Sequence, residues 1–141
     1  MPEDGSGTRT PFQLDRGRIL YSTSFARLAE ITQVVRADHG HVFHNRLTHS
    51  LKVGQLARRM AELLLQRQPD AAVDLGGLDP DVAEAAGLAH DLGHPPFGHA
   101  AEKELNDLAT NEGVDGFEGN AQTFRILTRL EIGRASCRER V

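Results

Sequence analysis

Three histidines and two carboxylates fall within the sixteen residues Gly87 to Glu102, a density that helical packing alone does not require. His90 and Asp91 close an alanine-rich helical stretch, Gly93 is placed to supply a left-handed stop, and Pro95-Pro96 forbid resumption before Phe97. The Pro-Pro elbow should therefore hold two ligand-bearing helices at a fixed angle. Neighbouring side chains on a helix diverge by about 100°, so His90 and Asp91 share an ion only if it sits between them and recruits ligands from elsewhere. Imidazole and carboxylate without thiolate suit Mn, Fe, Co, Ni or Zn, and Mg where water fills most positions. The bland alternative is a helix C-terminus whose histidine satisfies carbonyls and the macrodipole; the nearby His94, His99 and Glu102 weigh against it.

His49 is the third candidate ligand. It leads His49, Val53, Leu56, Met60 and Leu63, a 4-3-4-3 apolar spacing that predicts a helix from an Asn45 cap to about Gln66, with Lys52, Gln55, Arg59, Glu62 and Gln66 on the solvated side. Arg46 stands one turn before His49, suitably placed for a phosphate oxygen. A second helix is expected after the Asp79-Pro80 cap, its small residues Ala83, Ala86 and Gly87 letting another helix approach so that His90 nears His49. Past the elbow, Phe97, Ala101, Leu105 and Leu108 predict a buried stripe, with His99 and Glu102 paired at i, i+3 along its edge. A carboxylate against an imidazole fixes its tautomer and raises its pKa, as proton transfer needs; a surface ion pair is the alternative.

The remaining chain supplies the frame. At 141 residues it holds one modest domain. Tryptophan is absent and aromatics are scarce, so the core rests on Leu, Val, Ile and Ala, a composition that favours helices. A single cysteine, Cys137, excludes an internal disulfide framework. No secretory or membrane-length apolar run occurs, and a cytoplasmic protein without a membrane partner is expected. The net charge of -4 is unevenly spread: residues 34–59 are basic and histidine-rich, whereas residues 70–118 carry only Lys103 against many carboxylates. Residues 1–11 read as a disordered leader. Tyr21, Phe25 and Leu28 then follow helical spacing, Arg16, Arg18 and Arg27 offer phosphate or ion-pair contacts, and Gln33 is a polar exception in an apolar run. His39 and His41 sit in a loop, residues 66–78 read as another, and residues 110–119 form an acidic, glycine-rich connector or lid before a helix carrying Phe124, Leu127 and Leu130.

The spacing of His49 from His90-Asp91 resembles the HD superfamily of metal-dependent phosphohydrolases. Longer strings narrow the resemblance: Arg46-Leu-Thr-His-Ser50, Ala89-His-Asp-Leu-Gly-His-Pro-Pro-Phe-Gly-His99 and Gly116-Phe-Glu-Gly-Asn-Ala-Gln122 are similar to the deoxyguanosinetriphosphate triphosphohydrolase family, over about residues 15–130. The resemblance implies an all-α HD-domain helical fold, here truncated, and hydrolysis of a deoxynucleoside triphosphate to deoxynucleoside and triphosphate. It implies His49, His90 and Asp91 as ligands of a divalent metal, manganese or magnesium foremost, with Fe, Co, Ni or Zn open. Arg46 would meet the α-phosphate, His94 would line the triphosphate site, Gln33 would lie near sugar or base, and His99 with Glu102 would handle protons. Charge on the phosphoryl oxygens would be met by Arg46 together with the ion while water attacks the α-phosphorus.

The family also has a fourth ligand, an aspartate further downstream, and Glu131 to Val141 is unlike the family. The expectation is thus residues 12–130 as the amino-terminal part of an HD phosphohydrolase domain, incomplete, with its activity on its own left open. Family members assemble, so a homo-oligomer is an implied partner. The alternatives are another HD-type nucleotide phosphohydrolase and a non-catalytic module binding nucleotide or single-stranded nucleic acid.

Overall fold

The computed structural model describes residues 9–31 and 45–130. Every element among them is helical, as the composition and the family resemblance both imply. Gln33, His39 and His41, the leader up to residue 8 and the stretch from Glu131 lie outside the described residues.

Helix α1 (Pro11–Leu20) starts from a capping box: the Thr10 hydroxyl accepts from the Gln13 amide and the Gln13 side chain accepts from the Thr10 amide, both at 3.2 Å. Ser22 opens α2 (Thr23–Arg27) by accepting from the Phe25 amide. That second start breaks the Tyr21-Phe25-Leu28 register. Phe25 and Leu28 are buried, followed by a 3₁₀ turn, while Tyr21 at the end of α1 is exposed.

Helix α3 (Arg46–Arg67) begins at the Asn45 cap, whose side-chain oxygen accepts from the Thr48 amide at 2.9 Å and whose nitrogen donates to the Ala29 carbonyl. The residues read as loop after Gln66 contain a short helix, α4 (Pro69–Asp74), for which Pro69 supplies the first helical residue. Helix α5 (Pro80–Ala89) starts from Asp79 as expected, the carboxylate accepting from the Asp81 amide at 2.7 Å. α6 (Gly98–Asn111) follows the elbow, and α7 (Gly119–Arg125) runs on into a widened π turn, Ile126–Leu130.

The crossing of α3 and α5 organises the molecule. A Cβ built on Gly87 would lie 2.8 Å from the Gly54 Cα, and one on Gly54 would lie 2.9 Å from Leu88 Cγ. The inward face of α3 is therefore Arg46, Ser50, Gly54 and Ala61, all buried, and not the bulky stripe. Leu56, Met60 and Leu63 are 61, 56 and 43% exposed, which corrects the expected orientation. Large side chains on the crossing face would hold the backbones apart, so the small residues take it.

The core gathers Ile19, Phe25, Leu28, Leu88, Ala89, Leu92 and Ile126 from α1, α2, α5, the elbow and the π turn. A charged seam closes its edge. Arg58 of α3 bonds Asp81 at 2.5 Å and Glu84 at 3.0 Å, and Arg16 of α1 bonds Glu84 at 2.9 Å. Arg16 is thereby an ion-pair residue, the second of the two roles open to it.

Two further expectations change. The α6 stripe exists as spacing, but α6 contains no fully buried residue, and Phe97, Leu105 and Leu108 are exposed. No described element covers that face closely enough to bury it. The left-handed residues of the elbow are Phe97 (φ 69°) and Gly98 (φ 63°), not Gly93. Gly93 is required for another reason: a Cβ there would strike the backbone of Gly119 and Thr123, so its bare Cα lets α7 dock on the elbow.

Candidate metal and phosphate site

His49 lies in the first turn of α3 and His90 caps the C-terminus of α5, so the Gly54/Gly87 crossing brings together the ends that carry them. Their rings meet edge to face, with centroids 5.3 Å apart at 65°. His90 Nδ1 lies 2.7 Å from the Gly87 carbonyl oxygen. A carbonyl can only accept, so Nδ1 carries a proton, which leaves Nε2 as the nitrogen through which a neutral imidazole at this position would bind a metal.

Asp91, the next residue, lies beside Arg46, its Oδ2 being 3.7 Å from the guanidinium Nε. Arg46 is buried. Its two terminal nitrogens donate to the carbonyls of His94 and Pro95, both at 2.8 Å, so α3 grips the elbow through one side chain. A guanidinium has five N–H donors, and these carbonyls take two. Arg46, Asp91, His94, Gly98 and His99 line an open cleft of about 230 Å³.

α6 brings Gly98 and His99 to the same cleft, and α7 is tied to α6 through Glu102. His99 Nδ1 lies 2.9 Å from Glu102 Oε2, which realises the i, i+3 pair, and the His99 side chain is 96% exposed. Glu102 uses its other oxygen to accept from the Gly119 amide at 2.7 Å. The Gly119 amide, and after it His99, holds the Glu102 carboxyl below the usual carboxylate range. Glu118 caps α7 by accepting from the amides of Asn120 and Ala121, which lower its pKa likewise. Gly119 has no room for a side chain because the His94 ring occupies the position its Cβ would take.

The structure thus brings His49 to His90, Asp91 to Arg46, and His99 to Glu102, with His94 between the second and third pairs. It does not close His49, His90 and Asp91 into a finished cage: among the described residues no group of three or more His, Cys, Asp or Glu side chains is arranged to hold a metal. The donor types nevertheless fit a divalent cation, with two imidazoles converging and one anionic carboxylate next in sequence.

A family model, the HD domain, matches residues 46–136, well over half of the chain. The chain belongs to the HD domain family. Within this HD domain, the match begins at Arg46 and contains every described candidate residue. Among curated proteins it is 51% identical over 131 residues to a deoxyguanosinetriphosphate triphosphohydrolase-like protein of Caulobacter sp. (strain K31), covering 93% of this chain and 30% of that one. It is 52% identical over 123 residues to a protein of the same description from Corynebacterium efficiens, covering 87% of this chain and 26% of the relative. A third, from Brucella ovis, is 48% identical over 131 residues, with 93% and 29% covered. The chain spans about three tenths of the length of the relatives it matches.

The HD domain also depends on residues that periodicity did not single out. Thr123 accepts from the Gly93 amide at 2.9 Å and donates to the Gly119 carbonyl at 3.0 Å. Asn106 accepts from the Phe117 amide at 3.0 Å, pinning the connector that leads into α7. The string Gly116 to Gln122 carried a signal for this corner through its resemblance, whereas its composition read only as loop.

Proposed function

We propose that this HD domain serves the metal-dependent hydrolysis of deoxynucleoside triphosphates, releasing deoxynucleoside and inorganic triphosphate. The observation that carries the reading is the edge-to-face His49–His90 pair, whose near neighbours in sequence, Arg46 and Asp91, line one cleft with His94 and His99. His49, His90 and Asp91 would hold the divalent ion, manganese or magnesium, with a fourth protein ligand completing the set. The ion would supply Lewis-acid stabilisation of phosphoryl charge and a more acidic water.

The chain's own groups do the rest. The cleft, about 230 Å³, is smaller than the roughly 300–1,000 Å³ that encloses a drug-sized ligand, so it suits the phosphates and leaves sugar and base to neighbouring surface, Gln33 being the residue proposed to meet them. Arg46, fixed by two carbonyls and neutralised only in part by Asp91, presents positive charge to the α-phosphate. His94, half-buried against Gly119, is a wall of the triphosphate site. His99 is exposed and its Nδ1 is oriented by the Glu102 carboxylate, so we assign it the proton that the departing 5′ oxygen takes up. Among the described residues no helix is long and apolar enough to cross a membrane; a cytoplasmic location and self-assembly belong to the same proposal.

Phosphorus NMR of deoxyguanosine triphosphate incubated with the chain and manganese tests the reaction. Inorganic triphosphate is the expected product. Pyrophosphate or orthophosphate would instead indicate another nucleotide phosphohydrolase. A second reading is a module that binds nucleotide or single-stranded nucleic acid without turnover; nucleotide binding with no released triphosphate would favour it.

A further inference from the structure

We propose that Thr123 is a positioning residue that sets the elbow carrying Asp91 and His94 in register with the His99–Glu102 pair, acting through Gly119. This rests on the functional reading above, which assigns both groups to one substrate. Thr123 is buried and lies on α7, outside the histidine-rich strings. Its hydroxyl has one proton and uses both capacities: it donates to the Gly119 carbonyl at 3.0 Å and accepts from the Gly93 amide at 2.9 Å. The first contact is ordinary back-bonding within a helix. The second spans thirty residues of sequence and satisfies a buried amide situated between Asp91 and His94.

Gly119 is where the two sides join. Its amide donates to Glu102, its carbonyl accepts from Thr123, and its bare Cα is packed by the His94 ring. Glu102 in turn holds His99, whose side chain is 96% exposed. The sequence of contacts Gly93, Thr123, Gly119, Glu102, His99 is therefore continuous, and loss of the hydroxyl removes the bond from the elbow to α7 together with the back-bond to Gly119.

Thr123→Val keeps the shape and deletes the hydroxyl, while Thr123→Ser keeps the hydroxyl. Two readouts sample the two sides: manganese affinity of the chain by calorimetry, and the nitrogen chemical shift of His99 Nδ1, with Glu102→Gln as the unpaired reference. Thr123→Val is expected to weaken manganese binding by roughly tenfold, the lower end of what outer-shell substitutions cost, and to move the His99 shift towards the Glu102→Gln value. Thr123→Ser should keep both near wild type. A folded Thr123→Val protein with either readout at its wild-type value overturns the proposal.

If the wild-type chain takes up no manganese, the metal reading fails and the His99 shift alone decides Thr123. If Thr123→Val does not fold, hydrogen exchange in the wild type decides it: the Gly93 and Gly119 amides should be protected together, and a Gly93 amide exchanging like an exposed turn would overturn the assignment.

Discussion

Gly87→Ala is the substitution whose effect follows most directly from the crossing of α3 and α5. Its new methyl would lie 2.8 Å from the Gly54 Cα, 3.0 Å from the Gly54 nitrogen and 3.1 Å from the Val53 carbonyl carbon, all backbone atoms that cannot rotate away. Carbon pairs rest at about 3.5–4.0 Å, so α3 and α5 must separate by about 0.7–1.2 Å. Overpacking of this kind costs about 1–3 kcal/mol, and alanine recovers about 1 kcal/mol over glycine in a helix. With backbone as the obstacle, we expect a net loss of about 1–2 kcal/mol, or a melting temperature lower by about 4–8 °C.

Thermal melting followed by circular dichroism reads this directly. Gly54→Ala is the control: its Cβ meets the Leu88 side chain at 2.9 and 3.1 Å, and its one backbone contact, the Glu84 carbonyl oxygen, lies at 3.3 Å. It should lose less. The same separation would pull His49 from His90, so Gly87→Ala should also weaken manganese binding. A Gly87→Ala protein that melts at or above the wild-type temperature would refute the claim that the crossing is set by backbone contact.

Arg46→Lys replaces a fork by a point charge and cannot serve the His94 carbonyl, the Pro95 carbonyl and Asp91 together. Urea denaturation should show a loss of about 1–3 kcal/mol, and an unchanged midpoint would mean the elbow does not need the clamp. The Asp81 carboxyl is held below its usual range chiefly by its hydrogen bond from Arg58. Its folded-state pKa is depressed, so its contribution is present above the ordinary carboxylate pKa and is lost as pH falls through the folded value. Stability measured from about pH 5 down to pH 2 should fall in the wild type and fall less steeply in Arg58→Gln; parallel curves would exclude the seam as a cause. Glu102 and Glu118 are depressed in the same direction, first of all by backbone amides, so acid should also loosen the seat of α7. Exchange of the Gly119 and Ala121 amides, measured against pH, checks that.

Local chemistry was legible in the sequence wherever a few residues decide the outcome. Asn45 and Asp79-Pro80 mark their helix starts because a side-chain oxygen and a proline each satisfy an end that the helix cannot satisfy itself. The approach of His90 to His49 was readable from small residues on α5. Which side of α3 faces inward was not: an apolar stripe shows that a face is suited to burial, not that a described neighbour buries it. Ser50, Gly54 and Ala61 carried the competing signal, since a close crossing selects for small size rather than for hydrophobicity. The same distinction explains α6, whose stripe is amphipathic yet uncovered. The Thr123 and Gly119 contacts depend on α7 reaching back some thirty residues, and no local spacing encodes that return.

The central claim is that His49, His90 and Asp91 hold one divalent cation. Pulsed EPR of manganese bound to the chain reads directly coordinated nitrogen. Two imidazole couplings are predicted, one disappearing in His49→Ala and the other in His90→Ala, while Asp91→Ala weakens uptake and leaves both. Bound manganese without nitrogen coupling, or couplings that survive both histidine substitutions, would contradict it.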